Sequence, residues 1–305
     1  MRIFITGATG WIGSAVVPEL LNAGHKVVGL ARSDDAAAKL QAAGAEVLRG
    51  DLDDGESLRA GSKSSDAVIH LAFKHDVLFA PDGFAKAAAS ERQSIDAIGE
   101  TLAGSDRPLV IASGTPAVPG KVATETDEAG AVGPAALRGS NARAAIALAA
   151  RDVRSSVVRL PRSVHGEGDL HGFVPRLIAI AREKGLSGYV GDGSSRWPAV
   201  HVLDAAHLFC LALVKAQAGS VLHAVGDEGV PTYEIAEAIG RHLHLPTASV
   251  PTEHFGFLGM VLSGDQPASS TQTRKLLGWR PVQPGLIADI EAGHYFALAA
   301  KAPAR

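Results

Sequence analysis

Short apolar runs alternate with longer Ala-rich stretches along the first half of the chain. The short runs predict buried strands at residues 2–5, 26–30, 46–49, 67–70 and 108–112. The stretches between them predict helices that include residues 12–22 and 34–43, and Gly24 is placed to end the first of these helices. Alternating strands and helices are typical of βαβ units. The pattern therefore predicts an α/β fold with a doubly wound parallel sheet.

The second half of the chain departs from this regular alternation. Further elements are predicted at residues 141–151 (helix), 155–160 (strand), 174–184 (helix), 200–216 (strand, then helix), 232–242 (helix) and 271–277 (helix). Residues 161–198 are rich in Gly, Pro and His, and the last two helices lie among Pro-rich connectors. We therefore predict a sheet domain made of residues 1–160 and 200–226, and a smaller C-terminal lobe made of residues 161–199 and 227–305.

Composition and charge exclude several classes of protein. Apolar residues make up 46% of the chain and charged residues 20%, as is usual for a folded globular protein. Lys and Arg number 29 against 32 Asp and Glu, and no basic block is present, so we expect neither nucleic acid nor a membrane surface as a partner. Cys210 is the single cysteine, which excludes an internal disulfide. The chain shows no signal-peptide core and no spanning apolar run, and we expect a cytoplasmic protein.

The strongest motif is the sequence TGATGWIG at residues 6–13, between the first predicted strand and the first helix. Gly7 permits a tight turn, Gly10 lets a ligand approach the backbone, and Gly13 lets the helix and the strand pack closely. The amides at the start of the helix suit the pyrophosphate of a dinucleotide. The predicted contacts are Gly7, Thr9, Gly10, Trp11, Ile12 and Gly13. We expect a Rossmann domain that binds a nicotinamide cofactor, with a chance glycine-rich turn as the alternative.

The end of the second strand favours NADP over NAD. An NAD site usually places a carboxylate there for the ribose 2′-hydroxyl. This chain instead has Arg32 and Ser33, and a guanidinium group pairs well with a 2′-phosphate. Asp34 and Asp35 argue mildly against a phosphate, and an exposed arginine without a ligand is the alternative for Arg32.

Several motifs along the chain resemble those of one enzyme family. They are Gly50-Asp-Leu52, His70-Leu-Ala72, the segment 158–166 (VRLPRSVHG), Gly191-Asp-Gly193, the segment 200–205 (VHVLDA) and the segment 277–281 (LGWRP). Together with the glycine motif they resemble the extended or atypical short-chain dehydrogenase/reductases, also named NAD-dependent epimerase/dehydratase-like proteins. The resemblance implies contacts to adenine from Asp51 and Leu52, to the ribose from Leu71, Ala72 and Phe73, and to the nicotinamide from Pro161, Ser163 and Val164.

The catalytic residues of that family are only partly present. The family uses an Asn, a Ser or Thr, and a Tyr followed four residues later by Lys, with the Tyr as acid/base. Ser113, with Thr115 nearby, stands where the hydroxyl is expected, whereas residues 134–144 (PAALRGSNARA) contain neither Tyr nor Lys. The three tyrosines are Tyr189, Tyr233 and Tyr295, and Asp96 stands at the point of the family's Asn.

The polar residues near the position of the missing Tyr are Arg138, Ser140, Asn141 and Arg143. An arginine cannot act as an ordinary base, but it can polarise a carbonyl group or bind an anionic substrate. We therefore predict that Ser113 and Arg138 are catalytic, with a strand-end hydroxyl and a solvated arginine as the alternatives. His75, His165 and His201 are the other candidates for proton transfer near the nicotinamide. No metal site is expected, because the histidines lack ligand spacing.

Residues 73–92 form a long connection after a strand, which is typical of a lid. The predicted lining of a pocket between the two lobes is Phe73, Phe79, Phe84, Arg196 and Trp197, for an apolar or aromatic substrate, with ordinary packing as the alternative.

Two functions are consistent with these features. The first is an NADP-dependent oxidoreductase or epimerase-like enzyme that acts on a small carbonyl or hydroxyl substrate with a non-standard proton donor. The second is an NADP-binding sensor or regulatory protein without redox turnover. The family resemblance also implies a homodimer formed through two helices of the sheet domain, and a monomer is the alternative.

Overall fold

The computed structural model describes residues 1–78, 80–128, 130 and 134–298. Its strands are β1 (Arg2–Thr6), β2 (Lys26–Ala31), β3 (Glu46–Arg49), β4 (Ala67–His70), β5 (Pro108–Gly114), β6 (Arg154–Leu160), β7 (Ser163–His165), β8 (Ser187–Val190), β9 (Arg196–His201), β10 (Ser220–His223), β11 (Asp227–Pro231) and β12 (Thr247–Val250). Its α-helices are α1 (Gly13–Asn22), α2 (Asp34–Ala42), α3 (Gly55–Lys63), α4 (Gly83–Leu102), α5 (Pro134–Ala147), α6 (Phe173–Lys184), α7 (Val202–Lys215), α8 (Thr232–Leu243), α9 (Leu258–Ser263), α10 (Thr271–Leu277), α11 (Leu286–Glu291) and α12 (His294–Leu298).

Seven strands form a central sheet in the order β3-β2-β1-β4-β5-β6-β10. Every neighbouring pair runs parallel. The order reverses between β1 and β4, where Thr6 stands opposite His70 at the carboxyl ends of both strands. Ligands of such sheets bind beside this reversal. The predicted doubly wound parallel sheet is confirmed, and it places a crevice next to the glycine motif.

The side chains of each central strand point alternately to the two faces of the sheet. Ile3 and Ile5 pack in a core cluster with helices α1, α2 and α7, whereas Phe4 between them packs on the other face with α3, α4 and α5. Both faces of the sheet are therefore covered by helices, which explains why its strands are almost wholly apolar. Cys210 of α7 is half-buried against the first cluster.

The C-terminal part of the chain contains a third core cluster. Strands β11, β9 and β7 form one small sheet and β12 and β8 another. The cluster includes the fully buried Trp197 together with apolar residues of α6, α8, α9, α11 and α12. Trp279, also from the C-terminal part, instead packs in the first cluster, and its Nε1 donates to the carbonyl of Asp204 of α7 at 3.0 Å. In the ranges described above, no helix has the length and apolar character needed to cross a membrane.

The prediction of a lid at residues 73–92 is wrong. After a short 3-10 turn at His75–Val77, helix α4 begins at Gly83 and runs for 20 residues against α3 and α5. Its buried face is built largely from Ala, Ser and Gly, so the apolar period that normally indicates a helix is weak. Helix α3 was not predicted either, although Asp54 caps it by accepting hydrogen bonds from Glu56 N and Ser57 N.

Candidate cofactor and substrate site

The glycine motif forms a tight loop between β1 and α1. Gly7 has a φ of +70°, and a Cβ atom there would lie 2.7 Å from the backbone nitrogen of Ala72. A Cβ atom on Gly13 would lie 2.1 Å from the carbonyl oxygen of Gly7. Two of the three glycines are therefore required by the chain's own backbone contacts, which hold β1, α1 and the end of β4 together.

Gly10 differs from the other two glycines. It is exposed, and a Cβ atom there would meet only the carbonyl oxygen of Gly7 within 4 Å, at 3.2 Å. A side chain at Gly10, directly before the amino terminus of α1, would therefore meet one tight contact, against the several closer ones at Gly7 and Gly13. An exposed glycine beside backbone amides at a helix start fits the pyrophosphate of a dinucleotide.

A buried polar pair joins the glycine loop to the segment after β4. Thr6 Oγ1 lies 2.7 Å from His70 Nδ1, and the amide of Leu71 donates to the carbonyl of Thr6 at 3.1 Å. Burial and, to a smaller extent, the charge of Arg138 lower the pKa of His70 to about 4, so the imidazole is neutral at physiological pH. The pair holds Leu71 and Ala72 beside Gly7, as the predicted ribose contacts require.

Trp11 links the glycine loop to the segment that follows β6. Its indole Nε1 donates to the carbonyl oxygen of Val164 at 2.9 Å. Pro161 and Ser163 of the same segment are buried. The structure therefore brings the predicted pyrophosphate loop and the predicted nicotinamide segment together, across more than 150 residues of sequence.

Arg32 stands at the end of β2 and is held by an exposed carboxylate. Its Nη1 lies 2.9 Å from Asp76 Oδ2, and the two side chains are 62% and 51% exposed. Its hydrogen bond to Asp76 lowers the pKa of that carboxyl. The Ser33 hydroxyl caps α2 by accepting from Ala36 N at 3.2 Å. The guanidinium group is thus oriented toward the crevice side of β4 and remains accessible.

Asp51 and Leu52 lie in the loop between β3 and α3. Asp51 Oδ1 accepts from the amide of Asp53 at 3.0 Å, and the carbonyl of Leu52 accepts from Ser94 Oγ of α4 at 3.2 Å. Because β3 pairs with β2, this loop lies beside the strand that leads to Arg32.

Arg138 and Ser113 meet at the carboxyl end of β5. Arg138 Nη2 donates to the carbonyl oxygen of Ala112, the residue before Ser113, at 2.9 Å. The guanidinium carbon lies 4.3 Å from the ring centroid of Phe73. Ser113 itself is 5% exposed. The two predicted catalytic residues and one predicted cofactor contact are therefore brought together, on the strand next to β4.

The charge of Arg138 is balanced by Glu91, a residue that the sequence did not single out. Arg138 Nη2 lies 2.8 Å from Glu91 Oε1, and Asn141 Nδ2 donates to Glu91 Oε2 at 2.8 Å. Burial raises the pKa of Glu91, although the contacts with Arg138 and Asn141 lower it. Glu91 lies on the buried face of α4, so a correct prediction of that helix is the signal that would have found it.

Asp96, expected at the place of the family's Asn, lies on the exposed face of α4. It pairs with Arg92 at 3.0 Å on the same helix, so it is not part of the buried network around Glu91. The amide that reaches this network is that of Asn141 on α5.

Two of the three histidine candidates point away from the carboxyl end of β5, where Arg138 and Ser113 lie. His165 is fully buried, with Nδ1 2.8 Å from Asp289 Oδ2 in the C-terminal cluster. His201 caps α7 by accepting from the amide of Leu203 at 3.2 Å. Only His75 lies near Arg138, with Nδ1 3.1 Å from the carbonyl of Phe73.

The predicted aromatic pocket is not formed as expected. Trp197 is fully buried in the C-terminal core, 5.5 Å from Phe173, and Arg196 pairs with Asp265 at 2.8 Å. Phe73 and Phe84 do pack together, with ring centroids 5.7 Å apart. Phe79 lies outside the described residues. Phe73 thus belongs to the Arg138 side of the crevice and Trp197 to the core of the C-terminal part.

Comparisons with known proteins find one matching family and several similar proteins. The profile of the NAD dependent epimerase/dehydratase family matches residues 3–225. An uncharacterized protein of Schizosaccharomyces pombe is 47% identical over 302 residues, which cover 97% of this chain and 100% of the relative. A 2-alkyl-3-oxoalkanoate reductase of Stenotrophomonas maltophilia is 30% identical over 254 residues, which cover 78% of this chain and 74% of the relative. The solved UDP-glucose 4-epimerase of Thermotoga maritima has a similar fold, with a TM-score of 0.79 at 20% identity, covering 99% of this chain and 100% of that one.

Proposed function

The chain belongs to the NAD-dependent epimerase/dehydratase family, and from that premise we propose that it is an NADPH-dependent reductase of small carbonyl compounds. The observation that carries the proposal is the placement of Arg138 at the carboxyl end of β5, where Glu91 fixes it and it donates to the carbonyl of Ala112, the residue before Ser113. A reductase among the relatives that share 30% identity over most of this chain supports the direction of the reaction. We further propose that residues 161–199 and 227–305 form the side of the crevice that binds the substrate.

The residues around the β1–β4 edge fit a nicotinamide dinucleotide. The exposed Gly10 and the amides before α1 would hold the pyrophosphate, and Arg32 would hold the 2′-phosphate that distinguishes NADPH from NADH. When bound, the cofactor supplies the hydride that forms the new C–H bond at the carbonyl carbon.

Ser113 and Arg138 act on the carbonyl oxygen. As the C=O π bond opens, negative charge develops on that oxygen, and a hydroxyl donor and a guanidinium group stabilise it. The oxygen then takes a proton from water, because the pKa of an arginine is too high for it to release one. The buried carboxylate of Glu91 keeps Arg138 in place through this change of charge.

The proposal is tested by NADPH oxidation with a panel of aldehydes, ketones and 3-oxo acids. We expect one equivalent of alcohol for each equivalent of NADPH oxidised. Tight NADPH binding without turnover of any compound would contradict the reductase function and leave the family assignment unchanged.

Cofactor preference is tested at Arg32. We expect Arg32→Ala to weaken NADPH binding by about tenfold or more, because a charge-assisted contact to the 2′-phosphate is lost, and to leave NADH binding unchanged. Fluorescence titration with both cofactors measures the effect. Arg49→Ala is the matched control, since Arg49 is also an exposed arginine at a strand end and pairs with Asp34 at 2.5 Å. Equal losses for both cofactors in Arg32→Ala would overturn the NADP assignment.

A second function is favoured by the sequence of α5. That helix contains neither Tyr nor Lys, so the family's acid/base pair is missing from it. A sensor that binds NADPH without oxidising it needs no such pair. NADPH binding that changes the affinity for another molecule, with no oxidation in its presence, would favour this function.

A further inference from the structure

A second arginine, Arg162, lies in the segment between β6 and β7. Its Nη1 donates to the carbonyl oxygen of Val261 at 2.5 Å, and its Nη2 donates to Gln266 Oε1. The guanidinium carbon lies 5.6 Å from the ring centroid of Trp197. Both hydrogen-bond partners are neutral and belong to the C-terminal part of the chain, so Arg162 stands where that part meets the edge of the central sheet.

Arg162 has no counter-charge. Within residues 1–78, 80–128, 130 and 134–298 it forms no ion pair, and burial alone lowers its pKa, to about 10. Burial also lowers the pKa of Arg159, three residues earlier, but there the carboxylates of Glu128, Asp127 and Glu125 oppose the shift. At neutral pH Arg162 is therefore a largely buried cation that the described chain does not neutralise, a costly arrangement unless an anion completes it.

Gln266 connects Arg162 to the β5 edge. Its Oε1 accepts from Arg162, while its Nε2 donates to the carbonyl oxygen of Thr115 at 2.8 Å. Thr115 follows Ser113 by two residues and is 7% exposed, and its Oγ1 is buried with no hydrogen-bond partner in the described chain. An uncompensated cation and an unpartnered hydroxyl therefore lie at the two ends of one bridging amide, next to Ser113.

We propose that Arg162 binds a carboxylate group of the substrate, so that the enzyme acts on an oxo acid. The inference rests on the proposed reductase function and names its substrate class. A guanidinium group binds a carboxylate with two parallel hydrogen bonds, which orients the bound molecule as well as attracting it. Arg138 polarises the carbonyl and Arg162 holds the acid group, so the two arginines divide the recognition of one oxo acid.

The test compares 3-oxobutanoate with its methyl ester, which keeps the carbonyl group and removes the charge. We expect kcat/KM of the unmodified protein to favour the acid by about 100-fold, the size of effect that charge-assisted bidentate contacts give. Arg162→Met should remove that preference by lowering kcat/KM for the acid alone. Arg162→Lys should recover part of it, because the charge remains and the planar fork is lost. Equal loss for acid and ester in Arg162→Met would show a structural role and overturn the proposal.

Arg154→Met is the matched control. Arg154 lies at the opposite end of β6, and its Nη1 also donates to neutral carbonyls, those of Leu213 and Ala216 at 3.2 Å each and that of Val214 at 3.5 Å. We expect the preference for the acid to be unchanged in Arg154→Met. If Arg154→Met also removes the preference for the acid, the effect is not specific to Arg162, and the proposal is contradicted.

Equilibrium binding separates failure of this inference from failure of the reductase function. Acid and ester are titrated calorimetrically into the full chain with and without saturating NADP. If the acid binds, if Arg162→Met weakens that binding, and if the acid is still not reduced, the carboxylate site is supported and the reductase function is contradicted. Inorganic phosphate that binds Arg162 as tightly as the acid, or acid that does not bind at all, would overturn the carboxylate site.

Discussion

Arg138 and Arg162 lie at the same edge of the central sheet, each over an aromatic ring. They differ in whether the described chain neutralises their charge. Arg138 has a buried carboxylate 2.8 Å away on α4, whereas Arg162 donates only to a backbone carbonyl and an amide oxygen. A buried ion pair fixes a side chain, and an uncompensated cation is open to an anion from outside. In the proposed function, this difference separates Arg138, which is held for catalysis, from Arg162, which is available for recognition.

Two glycines of the loop between β1 and α1 show a similar contrast, in the space around them and not in charge. A Cβ atom on Gly13 would lie 2.1 Å from the carbonyl oxygen of Gly7, whereas one on Gly10 would lie 3.2 Å from the same oxygen and meet no other atom within 4 Å. The unneutralised charge of Arg162 and the exposed backbone at Gly10 have no partner within the described chain that explains them. Each therefore points to a ligand.

The largest expected effect is the loss of stability when Arg138, the arginine paired with Glu91, is replaced. Arg138→Met leaves Glu91 buried without a cation, and we expect the free energy of unfolding to fall by about 3 kcal/mol near about pH 8. Burial already raises the pKa of Glu91. A raised folded-state pKa gives stability that is present at low pH and lost as pH rises through it. The deficit should therefore shrink toward about pH 5, as measured by urea unfolding.

The double variant Arg138→Met/Glu91→Gln is the control for that pH dependence. It removes the group that titrates, so its deficit should be the same at both pH values. A deficit in the single variant that grows as the pH falls would contradict the role given to Glu91.

The glycine contrast predicts the next largest effect. Gly13→Ala places a methyl group 2.1 Å from a backbone oxygen that cannot move aside, and we expect a loss of about 2 kcal/mol or more in stability. Gly10→Ala should leave stability within about 0.5 kcal/mol and weaken NADPH binding by about tenfold or more, because the lost space is that of the ligand. Unfolding curves and NADPH titration distinguish the two; unchanged NADPH binding in Gly10→Ala would remove the pyrophosphate from this loop.

Ser113→Ala tests the catalytic side of the comparison. We expect kcat to fall by at least about tenfold, because a hydrogen bond to the developing oxyanion is lost, while thermal unfolding and NADPH affinity stay unchanged. The rate of NADPH oxidation at saturating substrate measures it. An unchanged rate would place Ser113 outside the reacting atoms.

The smallest effect is expected on the stability of the protein when Arg162, which has no ion pair in the described chain, is replaced. Arg162→Met breaks two neutral hydrogen bonds and no ion pair, and it relieves a buried charge. The two changes oppose each other, so urea unfolding should shift by no more than about 1 kcal/mol. A loss as large as that of Arg138→Met would remove the distinction between the two arginines.

Much of the cofactor side was predictable because its determinants are local. Buried parallel strands are continuous apolar runs, and the turn after β1 needs glycine for steric reasons within a few residues. The parallel sheet and the family were confirmed on this basis. The preference for NADP and the roles of Ser113 and Arg138 stay predictions.

The errors have a common physical origin. Helix α4 packs through Ala, Ser and Gly, whose small side chains give little hydrophobic contrast, so its sequence suggested a lid. Trp197, expected in a pocket, is instead covered by residues far from it in the chain, such as Phe255 and Leu286. A single sequence does not reveal which apolar side chain another segment will cover.

The sequence by itself determined strands β1 to β6 and helices α1 and α2, the glycine turn before α1, and the presence of Arg32 and Ser113 at strand ends, because each depends on neighbouring residues. Only the tertiary structure decided which arginine is neutralised. Glu91 and Arg138 are 47 residues apart, and Arg162 and Gln266 are 104 apart. Side-chain charges that meet across such separations are set by how helices and loops pack on the sheet, and that packing decided which cation stays open to a ligand.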